Sequence, residues 1–293
     1  MENFIEILIT GLRSGSIYAL IALGYTMVYG IAKMINFAHG DIIMIGAYAL
    51  YVFIELLHMP VVPAVICTIA VCAVLGICIE KVAYKPLRKA TPLAVLITAI
   101  GVSYFLQSAV LLIFGGTPIS FASIIDSKAL SLKIGSITLS GITIVTLAVT
   151  TISMIALTLF IQKTKTGRAM RAVSEDKGAA ELMGINVNRT ISITFAIGSA
   201  LAAIAGILYI CQFQSLKPTL GALPGIKAFV AAVLGGIGSI PGAMLGGILL
   251  GVIESVSKNV SGELADAIVF GVLVVVLLVK PSGLLGKNKT EKV

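Results

Sequence analysis

Residues 163–189 read KTKTGRAMRAVSEDKGAAELMGINVNR. Apolar runs long enough to cross a bilayer lie on both sides. Inside the stretch, six basic and three acidic residues are interleaved with good helix formers. A bare linker between membrane helices does not need such a composition. The stretch predicts a folded cytoplasmic segment that touches another protein, and the fold of the chain is read outward from it.

The 293 residues are 58% hydrophobic and 12% charged, with a mean hydropathy of +1.08. Soluble domains run nearer half apolar and a quarter charged. Apolar runs of about 20 residues, the length that crosses a hydrocarbon layer of about 30 Å, recur along the whole chain. These features predict an all-α polytopic integral membrane protein forming one transmembrane domain over residues 1–293. The net charge of +8 invites a nucleic-acid reading, but 14 of the 21 Lys and Arg fall in three stretches, 81–89, 163–189 and 280–292. Basic clusters beside spans mark cytoplasmic loops, so the charge is a topology signal and no nucleic-acid partner is expected. The start of the chain carries Glu2 and Glu6 and has no basic n-region or cleavage motif, so no removable signal peptide is expected. Cys67, Cys72, Cys78 and Cys211 all lie in apolar runs and read as small buried hydrophobes.

The flanking runs divide into spans. A tilted interfacial lead-in carrying Glu6 and Arg13 is expected before a first span at about residues 14–31. Further spans are expected at about 42–57, 61–80, 92–114, 140–161 and 190–211. Between the fourth and fifth, the extracytoplasmic loop 115–139 contains LSLKI-GS-ITLS, whose alternation around Gly135-Ser136 predicts a two-residue β-hairpin. Keeping all three basic stretches on one side requires an odd number of crossings after Arg189. Three are expected, at about 224–240, 241–256 and 264–279, which makes nine in all, with some short or broken.

Residues 221–251 hold nine glycines. The region lacks the Gly-Lys-Ser/Thr ending of a phosphate-binding loop, so no nucleotide site of that kind is expected. Gly238, Gly242 and Gly246 recur at four-residue spacing, as do Gly247 and Gly251, which makes small-residue faces for close helix packing. A broken helix lining a pathway is the second reading, with Gly235, Gly236 and Gly238 on it. The polar cluster Asn36, His39 and Asp41 is placed near the membrane edge by these boundaries, where His39 either fixes the turn with Asp41 or faces a pathway. Gln107 joins them as a candidate pathway residue. His39 and His58 have no partner at metal-ligand spacing, so no metal is expected. Gly238-Ser239 lacks both the G-x-S-x-G frame and a base, so no catalytic residue is expected and the chain does not read as an enzyme.

Within 163–189, Ser174 reads as an N-cap, with Glu175 and Asp176 in the first turn where the helix dipole favours anions. Gly184 stands where a C′ glycine would end the helix. Two short helices are expected, a patch at 167–173 and a helix at 175–183. Nine residues do not hold a helix alone in water, so tertiary or partner contacts must stabilise it.

Three separated motifs carry a family resemblance. They are Tyr29-Gly30 with Ile35-Asn36-Phe37-Ala38-His39-Gly40 and Gly46-Ala47-Tyr48; Gly167-Arg168-Ala169-Met170-Arg171-Ala172 with Asp176, Ala179-Ala180 and residues 182–187; and Ala228-Phe229 through residues 234–239 to Gly246-Gly247. In these, and along essentially its whole length, the chain resembles the membrane permease subunits of bacterial ABC importers for branched-chain amino acids, the LivH type. The resemblance implies a protein of the bacterial cytoplasmic (inner) membrane. Its implied partners are a second related permease, two cytoplasmic ATPase subunits and an extracytoplasmic substrate-binding protein. No cofactor is expected of this chain, ATP being used by the partner subunits. The segment 167–187 would then couple to the ATPase, with Gly167, Arg168, Arg171, Glu175, Asp176, Ala179, Ala180, Leu182 and Gly184 in the coupling set. Urea, short amides or another small solute carried by the same machinery is the alternative, followed by an ion-coupled secondary transporter.

Overall fold

The computed structural model describes residues 2–88, 90–126, 130–134 and 137–286. Its long apolar helices are α1 (Glu2–Ala32), α2 (His39–Tyr51), α3 (Val61–Ile79), α4 (Pro92–Phe114) and α5 (Gly141–Lys163). Two short helices follow, α6 (Lys165–Glu175) and α7 (Lys177–Leu182), and then α8 (Val187–Phe213), α9 (Ala222–Gly235), α10 (Ile240–Val260) and α11 (Ala265–Val279). The helices α2 and α3 each run on into one π-helical turn, Val52–Leu56 and Glu80–Tyr84.

Seven helices among the described residues are long and apolar enough to cross a membrane, and α9 and α11 are shorter apolar helices. The nine expected crossings thus correspond in order to nine apolar helices; of the two in the glycine-rich region, α9 is short as expected, while α10, at 21 residues, is a full-length span. The start differs from expectation. There is no separate lead-in, because Glu2–Ala32 is one unbroken helix.

The helices sort into an inner and an outer set. In α1 and α8, 61% and 67% of the most apolar window is buried inside the chain, against 17% in α4 and α5. Exposed apolar faces cost nothing against lipid tails, so close packing has to decide which helices are central. The α1–α10 contact supplies it: a Cβ on Gly11 would sit 2.8 Å from Val252 Cα, and Gly247 and Gly251 lie against Ala19 and Gly15. Gly242 and Gly246 face Gly235 and Ala231 of α9 in the same way. The predicted small-residue faces are therefore real, except at Gly238. That residue lies in the α9–α10 turn at φ +94°, outside any helix face.

The basic stretches gather at one end of the bundle. Arg88 reaches Asn188, and Lys177 Nζ donates to Ala32 O at 3.0 Å, so the first two basic stretches lie together. Leu284 N and Leu285 N donate to Leu234 O and Gly235 O, 2.8 and 2.9 Å, which lays the segment preceding the basic tail over the end of α9. On the opposite side, β1 (Ile119–Ser120) pairs antiparallel with β4 (Ser215–Leu216). The predicted hairpin is present as β2 (Leu132–Ile134) and β3 (Ile137–Leu139), in the register Ile134 to Ile137; its turn, Gly135-Ser136, lies outside the described residues. Cys72 and Cys211 are buried as expected, Cys67 is half-buried, and Cys78 departs from the reading on an exposed face of α3.

Candidate coupling surface and transport pathway

The segment 163–189 is folded, with its helix boundaries shifted from the expected ones. Thr164 caps α6, its hydroxyl accepting from Gly167 N at 2.9 Å. Ser174 is not an N-cap: it lies inside α6, where its hydroxyl donates to Arg171 O at 2.7 Å. The cap of α7 is Asp176, whose carboxylate accepts from Ala179 N at 3.0 Å. Its extended backbone (φ −150°, ψ 117°) leaves one helix and starts the next, and a carboxylate suits the positive end of a helix. Gly184 ends α7 as predicted. At φ +79° it lets Ile185 N turn back to Ala180 O at 3.0 Å, the αL closure that favours glycine.

The geometry divides the nine coupling candidates in two. Gly167 is buried under the end of α5, where a Cβ would strike the Phe160 and Ile161 carbonyls. Asp176 is the cap, Gly184 the stop, and Ala180 is 3% exposed. These four build the segment, so Ala180 is removed from the expected contact face. Arg168, Arg171, Glu175, Ala179 and Leu182 are exposed. Leu182 and its neighbour Met183 are 90% and 82% exposed, an apolar tip on a short helix rich in charge. Met170 and Val173 anchor α6 inward. Lys177 reaches the carbonyl end of α1, where the helix dipole favours a cation. Burial, with the neighbouring charges of Arg88 and Lys33, holds the Lys177 ammonium below the usual lysine range.

The polar cluster is deeper than expected. Residues 33–38 are non-helical and fold back into the bundle. His39 consequently packs against Gly24 and Tyr25 of α1, with the His39 and Tyr25 rings 4.6 Å apart. Gly24 lies about two helical turns, roughly 12 Å, from the end of α1 at Ala32. His39 and Asp41 are each 1% exposed and Asn36 is 2% exposed. Asn36 Oδ1 accepts from Tyr84 OH at 2.8 Å. Asp41 Oδ1 accepts from Gln107 Nε2, also at 2.8 Å, so α4 rather than the local turn with His39 receives Asp41. Close approach of α2 to α9 explains the glycines here: a Cβ on Gly225 would sit 2.8 Å from Gly40 Cα. Gly235 packs on Gly242, Gly236 is covered by Leu285 and Gly286, and Gly238 borders a cavity of about 100 Å³ shared with Met170, Arg171 and Ser174.

One charged set was not read from the sequence. Lys227 of α9 is bound by Glu254 of α10 at 2.8 Å and by Asp266 of α11 at 2.6 Å, and Lys258 meets Glu254 at 2.7 Å. Glu254 is 2% exposed. Two signals were available: a lone lysine within the apolar run GIKAFVAAVLGG, and the four-residue spacing of Glu254 and Lys258.

A bundle of apolar helices with a capped, basic two-helix segment at one end and buried polar groups within it fits a membrane transport subunit, a multi-pass protein. Residues 7–277 match the model of the family described as branched-chain amino acid transport system / permease component, and the chain belongs to that family. It is 46% identical over 302 residues to the high-affinity branched-chain amino acid transport system permease protein BraD of Pseudomonas aeruginosa, covering 99% of this chain and 98% of that one. It is 43% identical to the permease LivH of Escherichia coli K12 with the same coverage. A more distant relative is the ribose import permease RbsC of Haemophilus influenzae, 25% identical over 99% of this chain and 87% of that one. As a permease component, the chain works with other components of a transport system.

Proposed function

We propose that this chain is a membrane-spanning permease of an ABC importer, one permease domain over its whole length, moving branched-chain amino acids across the cytoplasmic membrane. Two separate ATPase subunits supply the energy, a second related permease completes the pathway, and an extracytoplasmic binding protein delivers the cargo. The chain itself carries no ATP site in this reading. The observation that carries the reading is the pair α6–α7. Two capped helices are anchored to the bundle through Met170, Val173, Ala180 and Lys177, while Arg168, Arg171, Ala179, Leu182 and Met183 face out. An exposed apolar tip ringed by charge fits a groove in another protein.

The cargo assignment follows the relatives named for branched-chain amino acids. A second cargo class has one observation in its favour, since the related ribose permease covers the same length. The test is to reconstitute the complete transporter in proteoliposomes and measure ATP-driven leucine uptake. Replacing Leu182 and Met183 together by Asp, or Arg168 and Arg171 by Glu, should lower uptake at least tenfold. The Tm of the isolated permease should stay unchanged, since all four side chains are exposed. Full uptake in both double variants sinks the coupling role. Ribose uptake without leucine uptake replaces the cargo.

A further inference from the structure

Toward the outer end of the bundle a cavity of about 330 Å³ opens between α4 and the segment joining β4 to α9. It lies at the lower end of the volumes, about 300–1,000 Å³, that hold small molecules. Tyr104, Gln107, Ser108 and Leu111 line it from α4, and Lys217 and Thr219 line it from the other wall.

The chemistry of the lining is asymmetric. Lys217 brings an ammonium, Tyr104 and Leu111 bring apolar surface, and Gln107 is the lining residue bound to a buried carboxylate. Asp41, 1% exposed, accepts from Gln107 Nε2 at 2.8 Å, and that nitrogen also lies 3.3 Å from Ser103 Oγ. A carboxylate only accepts, so the Gln107 amide must turn its NH₂ toward Asp41 and leave Oε1 to accept from something else. Among the described residues no cation forms a salt bridge with Asp41. A buried charge without a counter-ion is costly inside a membrane protein and marks a functional position.

We propose that this cavity is a cargo subsite for a zwitterionic amino acid with an aliphatic side chain. The ammonium of the cargo is accepted by Gln107 Oε1 and stabilised by the Asp41 charge behind it. Its carboxylate meets Lys217, and its side chain lies against Tyr104 and Leu111. An uncharged sugar satisfies neither pole of this arrangement. The inference rests on the importer reading above and adds to it the residues that recognise the cargo.

The test uses the complete transporter in proteoliposomes and two readouts. In Asp41→Asn, which keeps the shape and a hydrogen bond to Gln107 but removes the charge, and in Lys217→Gln, leucine uptake should fall at least tenfold. ATP hydrolysis stimulated by the binding protein should stay within twofold of wild type, because the coupling surface is untouched. A variant that loses charge alone and also loses its Tm or its ATP hydrolysis points to a structural role for Asp41 and overturns the proposal. The second readout needs no variant. A photoreactive leucine bearing a diazirine on its side chain, irradiated during turnover of the wild-type complex, should label residues 104–111, and unlabelled leucine should compete. Labelling confined to other helices, or full uptake in both variants, overturns the subsite. A wild-type complex that carries no leucine instead removes the importer reading on which the subsite rests.

Discussion

Two carboxylates, Glu254 and Asp41, are buried to the same degree in the same bundle, and they are treated in opposite ways. Glu254 is met by Lys227 and Lys258, and Lys227 is shared with Asp266, so two positive and two negative charges close on one another. Asp41 has the Gln107 amide and the Ser103 hydroxyl for partners, and no salt bridge among the described residues. A balanced set stitches α9, α10 and α11 into one body. An unbalanced group carries a cost that the fold does not cancel, which is tolerated where a ligand cancels it. The comparison therefore separates a buried charge that builds structure from one proposed to meet the cargo.

The largest effect expected from breaking this comparison is at Lys227. Lys227→Met leaves Glu254 with one lysine and Asp266 without its own, and should cost about 3 kcal/mol of stability, the lower end for removing one member of a buried pair. Asp41→Asn should leave the Tm in detergent nearly unchanged. Equal losses in the two variants would erase the distinction. A third carboxylate sharpens it. Glu80 is fully buried near the end of the bundle that carries α6 and α7, bound by Arg88 and by the Ser192 hydroxyl at 2.6 Å. Arg88→Met should cost about 2–3 kcal/mol by stranding that charge, and Glu80→Gln in the same chain should recover part of it, as thermal unfolding of the three proteins would reveal.

The smallest effect concerns a cation among cations. Lys177 is held below its ordinary value of 10.5 by burial, Arg88 and Lys33. Between the depressed and ordinary values the unfolded chain binds more protons at this site than the folded one, so the site's contribution to stability rises with pH. Relative to Lys177→Gln, wild type should gain a little in Tm as pH climbs from neutral toward 10.5. A relative loss would mean that its bond to Ala32 O outweighs the repulsion.

The features set by local chemistry were legible in the sequence. Apolar length gave nine helices, alternation around Gly135-Ser136 gave a hairpin, and Gly184 ended α7 because a positive φ favours glycine. Basic clusters placed Arg88 and Asn188 on one side before their contact was known. What stayed hidden depended on distant partners. Ser174 and Asp176 are both good caps by type, and only the path of the backbone chose between them. Ala180 looked like a contact residue because nothing nearby in sequence announces that it packs inward. The depth of His39 and Asp41 was hidden because residues 33–38 re-enter the bundle without a helix, which a count of apolar residues cannot register. Lys227 was overlooked because its partners lie on two later helices.

The hydrogen bonds from Leu284 and Leu285 to the last carbonyls of α9 have a consequence for how the protein is made. Helix ends leave carbonyls without intrahelical partners, and here two of them wait for a segment translated some fifty residues later. While α10 and α11 are being inserted, the end of α9 is therefore unfinished. A ribosome stalled after α11 would hold a membrane-inserted chain whose α9 has not yet been fastened.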